Sequence, residues 1–151
     1  MCFPILDELS FRTQYTNSKD KMSPALVSSL YAHTLTYWDS SSVLRSHHCP
    51  EIRFAWNLAT EALFSELHLS PGISTVIAIL LNVAGRPLTY MIGNSVLLGS
   101  AISLSHAIGL NRDCWGWNMD MAEKCLRTRL WWALVVHDKW YVVIHCHGQL
   151  G

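Results

Sequence analysis

Residues 88–111 read LTYMIGNSVLLGSAISLSHAIGLN, and the reading of this stretch decides the fold. Its 24 residues contain no Asp, Glu, Lys or Arg. A membrane-crossing helix needs about 20 predominantly apolar residues, so the length suffices. The composition does not. Thr89, Asn94, Ser95, Ser100, Ser103, Ser105, His106 and Asn111 are spread through it, with Gly93, Gly99 and Gly109. Hydrocarbon offers such polar groups no partner. The stretch therefore predicts a helix of about Tyr90 to Ile108, buried in protein at the centre of a helical fold. A small membrane-associated protein using 88–111 is the alternative. Ser95, Gly99, Ser103 and Ala107 recur every four residues, a small-residue stripe that predicts close approach of a neighbouring helix. Gly109 then supplies a left-handed C-terminal cap.

Upstream, residues 1–22 show no sustained period and read as a loosely ordered lead-in. Ser23-Pro24 is a helix start, a hydroxyl N-cap followed by Pro where its missing N–H costs nothing. Leu26, Leu30, His33 or Thr34, and Tyr37 follow at helical spacing. Asp39-Ser40-Ser41-Ser42 ends that run. Pro50-Glu51 opens the next helix, with Ile52, Trp56, Ala59, Leu63 and Leu67 on one face. Ser70-Pro71-Gly72 stops it. Ser74 can cap a short helix carrying Val76, Ile77, Leu80 and Leu81, which Gly85-Arg86-Pro87 breaks.

Downstream, Cys114-Trp115-Gly116-Trp117 is a compact loop. Asp120 with Glu123 has capping-box spacing, so a long helix runs from there to about Ile144. The β-branched Val135, Val136, Val142 and Val143 leave an extended ending open for its last turns. Trp131 and Trp140 lie nine residues apart, on opposite sides of a helix, which predicts burial on both sides. The sum is an all-α chain, an antiparallel array of about five helices.

Composition agrees. Half of the 151 residues are apolar, 15% are charged, and 11 basic residues balance 11 acidic ones. That excludes a disordered chain and a basic, DNA-coating surface. Five cysteines at wide spacings, with no C-x-x-C, exclude a disulfide framework or a cysteine-based zinc site. The N-terminus carries Asp7, Glu8, Arg12 and Lys19 and is no secretory signal.

Little chemistry is written in the chain. It has no G-x-S-x-G, no phosphate-binding Gly-rich loop and no H-E-x-x-H. His47-His48-Cys49 and His145-Cys146-His147 carry ligand-type side chains. They make a tetrahedral metal site only if both triplets meet in space, and the simpler reading is loop and tail residues. His137 and Asp138 are neighbours on a helix and diverge, so they do not form an acid–base pair. No catalytic residue is assigned.

One run of residues resembles a known family. Gly109-Leu110-Asn111-Arg112-Asp113-Cys114 is followed by Trp117, Glu123, Arg127-Thr128-Arg129-Leu130-Trp131-Trp132, and His137-Asp138-Lys139-Trp140. This order resembles the fungal-specific transcription factor domain of Zn2Cys6 zinc-cluster regulators. That domain is also called the middle homology region or xylanolytic activator regulatory domain. Residues 56–81 and 23–38 resemble its earlier helices. Asn111, Cys114 and Asp138-Lys139-Trp140 are most similar to a nitrogen-catabolism co-activator subgroup.

The resemblance implies a regulatory domain, spanning 23–151 and incomplete at its C-terminus. It implies a nuclear protein that meets promoter DNA through a zinc cluster, with homo- or heterodimer partners and co-regulators, and no membrane. That cluster is absent from this chain, so zinc belongs to the missing segment and no cofactor is expected here. The matching Gly109, Leu110, Asp113, Trp117, Glu123, Arg127, Arg129, Trp131, Trp132, Asp138, Lys139 and Trp140 are expected to be structural. An interhelical network of Arg and Asp charges beside Trp is the expected form. A truncated fragment of the domain, without independent function, is the alternative.

Overall fold

A computed structural model describes residues 5–85 and 91–148, and for Met91 and residues 141–148 the backbone alone. Six α-helices follow in order: α1 Glu8–Ser18, α2 Pro24–Thr34, α3 Ile52–Leu69, α4 Ile73–Gly85, α5 Met91–Ala107 and α6 Met121–Gly148. Short 3₁₀ segments lie at Lys19–Lys21, Leu35–Ser40 and Leu44–Ser46, and the described residues contain no strand. The chain is all-α.

The helix ends follow local chemistry. Ser23 Oγ accepts the Leu26 N–H at 3.0 Å, with Pro24 at the first helical position. Asp120 Oδ1 accepts the Glu123 N–H at 2.7 Å. Glu123 does not complete a capping box, because its carboxylate pairs with Arg127 instead. At the end of α5 the Leu110 N–H reaches the Ser105 carbonyl at 2.8 Å and the Gly109 N–H reaches His106, a Schellman closure. Gly109 takes φ +72° there, which only glycine adopts freely. Ser74 is not the cap of α4. Thr75 Oγ1 accepts the Gly72 N–H at 2.9 Å and does that work from inside the first turn.

The lead-in holds a helix that periodicity did not reveal. Asp7 caps α1 by accepting the Ser10 N–H at 2.8 Å. No residue of α1 is fully buried, although Phe11 packs on the core.

The core lies around α4. Every residue from Thr75 to Leu80 is buried, and α4 packs on α2, α3, α5 and α6. Leu26, Leu63, Leu97, Leu98, Leu130 and Leu134 close over it. The centre is therefore α4 and not α5. α5 turns Leu97, Leu98, Ala101 and Ser105 inward and leaves Ile92, Val96 and Gly99 exposed. The stripe of Ser95, Gly99, Ser103 and Ala107 lies on the outer side, so no helix of the described residues packs closely there. Both stretches lack charge, and only tertiary packing distinguishes the one enclosed on nearly all sides. No described helix is long and apolar enough to cross a membrane.

Candidate functional site

Gly109, Leu110, Asp113, Trp117, Glu123 and Arg127 gather where α5 ends and α6 begins, while Trp132 and Asp138 to Trp140 lie further along α6. An indole organises the junction. The Trp117 ring lies 3.4 Å from where a Gly109 Cβ would sit, and the Arg127 guanidinium stands over that ring, 5.5 Å from its centroid. Such stacking of a cation on an indole is attractive. Arg127 has two further partners. Its Nε pairs with Glu123 Oε1 at 3.2 Å, one helical turn back, and its Nη1 donates to the Ile108 carbonyl at 3.3 Å. A cation at a helix C-terminus also meets the negative end of the α5 dipole.

Smaller contacts complete the junction. Asp113 Oδ1 accepts the Trp115 N–H at 3.0 Å, and Lys124 Nζ donates to the Trp115 carbonyl at 2.9 Å. Leu110 and Cys114 are buried. Trp131 and His106 of α5 meet edge to face, with ring centroids 5.4 Å apart and planes at 85°.

Among the described residues no ion pair joins an Arg to an Asp, although the Arg129 charge acts on Asp7 of the lead-in. Arg127 pairs with a glutamate, because Glu123 stands four residues back on the same helix. Arg129 has a buried Nε with no hydrogen-bond partner. Asp138 meets only its exposed neighbour Lys139, at 3.7 Å, and His137 Nδ1 turns to the Ala133 carbonyl at 2.8 Å. Trp132 and Trp140 are 60% and 66% exposed. The burial expected on both sides of α6 is thus found on one: α6 packs its Leu130–Ala133–Leu134 side on α5 and α4.

The metal candidates fall partly outside the described residues. His47 and His48 are exposed on the loop before α3, with Cys49 half-buried beside them. The side chains of His145, Cys146 and His147 lie outside the described residues. Cys114 is buried on the loop between α5 and α6, and Cys125 is exposed on α6. No three His, Cys, Asp or Glu side chains among the described residues converge on one point. A two-zinc, six-cysteine cluster does not fit these residues.

Two residues outside the motif were not legible in the sequence. Glu66 on α3 accepts from Ser23 Oγ at 2.5 Å and from Thr75 Oγ1 at 2.7 Å, joining the starts of α2 and α4. Asp7 is the second. Hydrogen bonding from Ser10, side chain first and backbone next, holds its carboxyl below the ordinary carboxylate range, and the Arg129 charge adds to this. A third cluster lies between α1 and α2, where Tyr15 and Tyr31 share a hydroxyl–hydroxyl bond of 2.8 Å. The apolar pocket beneath them holds about 220 Å³.

The junction is thus built from the Gly109–Arg127 part of the run, with Trp131 beside it. The fungal-specific transcription factor domain matches residues 1–147, and the chain belongs to that family. Two curated relatives are similar to it. A transcriptional regulatory protein of Schizosaccharomyces pombe, itself uncharacterized, is 37% identical over 142 residues, 92% of this chain and 21% of that protein. The transcriptional activator protein DAL81 of Saccharomyces cerevisiae is 32% identical over 138 residues, 91% of this chain and 14% of that protein. The chain thus spans 21% and 14% of the lengths of these two relatives. No solved structure matches it.

Proposed function

We propose that this chain is a regulatory, non-catalytic domain that modulates transcription in the nucleus through protein contacts. One observation carries the reading. Four residues of the family-like run, Gly109, Trp117, Glu123 and Arg127, fasten α5 to α6, and they present no reactive group to a substrate. The two relatives are named as transcriptional regulators, which supports the same role. Promoter DNA is then met through a zinc cluster outside these residues, since a chain with zero net charge offers no phosphate-binding surface. Co-regulator proteins are the partners. The identity to DAL81, with Asn111, Cys114 and Asp138–Trp140, supports placing the chain near that activator.

The test is a reporter assay in yeast with the full chain fused to an unrelated DNA-binding domain. The fusion should change reporter output, and Arg127→Ala should remove the change. Equal output from the bare DNA-binding domain would overturn the reading. A chain that aggregates without a cooperative melt would support the alternative, a fragment without independent function.

A further inference from the structure

Arg129 is a motif residue that the α5–α6 junction does not use. Its Nε is buried and has no hydrogen-bond partner. A buried donor without an acceptor costs free energy, and it marks a place where an acceptor belongs. Leu126 and Ala133 lie one turn before and after it on α6, and both pack on the core. The guanidinium therefore leaves α6 along the core's edge.

Residues 5–11 sit on that edge. Ile5, Leu6 and Phe11 pack, partly buried, on the core cluster that holds Leu26 of α2 with Leu130 and Ala133 of α6. Asp7 stands among them, and the Arg129 charge acts on its carboxylate. The two do not close into an ion pair, because Asp7 Oδ2 is held by the Ser10 N–H at 2.8 Å as the cap of α1. The segment thus brings the right charge and apolar side chains to this seat and still leaves Arg129 Nε without an acceptor.

Its hold is weak. α1 has no fully buried residue and is 11 residues long, too short to persist as an isolated helix in water. An open pocket of about 220 Å³ lies between its Phe11 and Tyr15 and the Val27 and Leu30 side chains of α2. Tyr15 reaches across with one hydroxyl bond to the exposed Tyr31. Segments held in this way open locally, well below the free energy of global unfolding.

We propose that the seat of residues 5–11 is a docking site for an acidic, amphipathic peptide, and that the chain's own Ile5-Leu6-Asp7-Glu8-Leu9-Ser10-Phe11 is its resident occupant. The partner segment carries two aliphatic residues, a carboxylate for Arg129, and an apolar residue four positions after it. Its carboxylate has no capping duty to Ser10, so it gives Arg129 Nε the acceptor that Asp7 does not. Docking is competitive, since the resident segment must leave before the partner enters. The inference goes beyond the regulatory reading and stands apart from it. Its test reads peptide binding by the chain alone, and an inert reporter fusion would leave it intact.

The experiment is fluorescence anisotropy of a labelled synthetic peptide of residues 5–18, titrated with the full chain. Saturable binding is expected. Asp7→Lys or Phe11→Ser in the peptide should each weaken it by about tenfold. Leu9→Ser, at a position 75% exposed, should leave it unchanged. The same Phe11→Ser made in the chain should act in the opposite direction and tighten binding of the parent peptide by about tenfold, because apparent affinity follows the fraction of chains whose seat is open. Tyr15→Phe in the chain, which removes the bond to Tyr31, should tighten it as well. Arg129→Gln in the chain should weaken the parent peptide and leave the Asp7→Lys peptide unaffected, a pattern that loss of the fold does not produce. No saturable binding, equal binding of the parent and Asp7→Lys peptides, or Phe11→Ser and Tyr15→Phe chains that bind no tighter would each overturn the proposal.

Discussion

Arg127 on α6 donates from Nη1 to the carbonyl oxygen of Ile108, 3.3 Å away and one residue past the end of α5. Helix C-termini leave carbonyls without intrahelical partners, and this one is closed by a side chain from the next helix. The guanidinium fork permits it, because Nε remains free to hold Glu123 while the planar face covers Trp117. The Arg127 side chain is only 14% exposed but Glu123 is 42% exposed, so the guanidinium is shielded while the ion pair itself stays partly screened.

Arg127→Ala removes all three contacts and leaves the Glu123 carboxylate and the Ile108 carbonyl without this partner. The expected loss is about 2–4 kcal/mol. Arg127→Lys should recover less than half of it, because an ammonium cannot hold the pair and the carbonyl in one plane. Urea denaturation of the three proteins checks both statements. Equal midpoints for Arg127→Ala and the parent would show that the junction is not stabilising.

Glu66 gives the second expectation. Its carboxylate accepts from Thr75 Oγ1 at 2.7 Å and from Ser23 Oγ, and both hydroxyls also work as helix-start acceptors. One carboxylate thus orients two caps. Glu66→Ala should cost about 2–3 kcal/mol, and Thr75→Val about 1–2 kcal/mol. The two should be non-additive, with a coupling of about 1 kcal/mol, because they share a bond. A double-mutant cycle by chemical denaturation measures this, and strict additivity would contradict it.

Much of the helical architecture was legible because helix ends are local. Ser23-Pro24, Asp120 and Gly109 each fix a boundary through groups within a few residues, and each boundary is found in the structure. Depth was not legible. α4 and α5 are both without charge, and their order in the core depends on α2 and α6 arriving from elsewhere in the chain. The motif residues were also visible, yet their partners were not. Glu123 stands at the right spacing for Arg127, but an arginine's second contact, to Ile108, joins residues that only the folded junction brings together. Glu66 stayed hidden for the same reason. It looked like a surface carboxylate until Ser23 and Thr75 came within reach.

Acid should loosen α1 before the rest. The Asp7 carboxyl is held below its ordinary value chiefly by hydrogen bonding from Ser10. A depressed folded-state value means that the cap contributes stability above the unfolded-state value of about 3.9. That contribution is lost as the pH falls through the lower, folded-state value. The protection factor of the Ser10 amide should therefore fall on acidification below pH of about 4, ahead of amides in α4. Asp7→Asn keeps an acceptor at the cap and has no charge to titrate. Its Ser10 exchange should lose this extra pH dependence, and an unchanged profile would assign the effect to another group.

Gly85 and His33 supply a prediction with a built-in control. A Cβ on Gly85 would fall on the His33 ring, 2.8 Å from Cε1 and 3.1 Å from Cγ, where real structures do not place one. Alanine is the better helix former by about 1 kcal/mol, so propensity alone predicts that Gly85→Ala stabilises the last turn of α4. The contact between α2 and α4 predicts the reverse, a loss of about 1–3 kcal/mol from overpacking. Overpacking should win, because the obstacle is a rigid ring on a packed helix and not the end of a flexible chain. Removing the ring discriminates between the two. In a His33→Ala background the same Gly85→Ala change should become neutral or stabilising, a reversal of sign that thermal melts of the four proteins would show. Destabilisation of equal size in both backgrounds would mean that the ring is not what Gly85 accommodates.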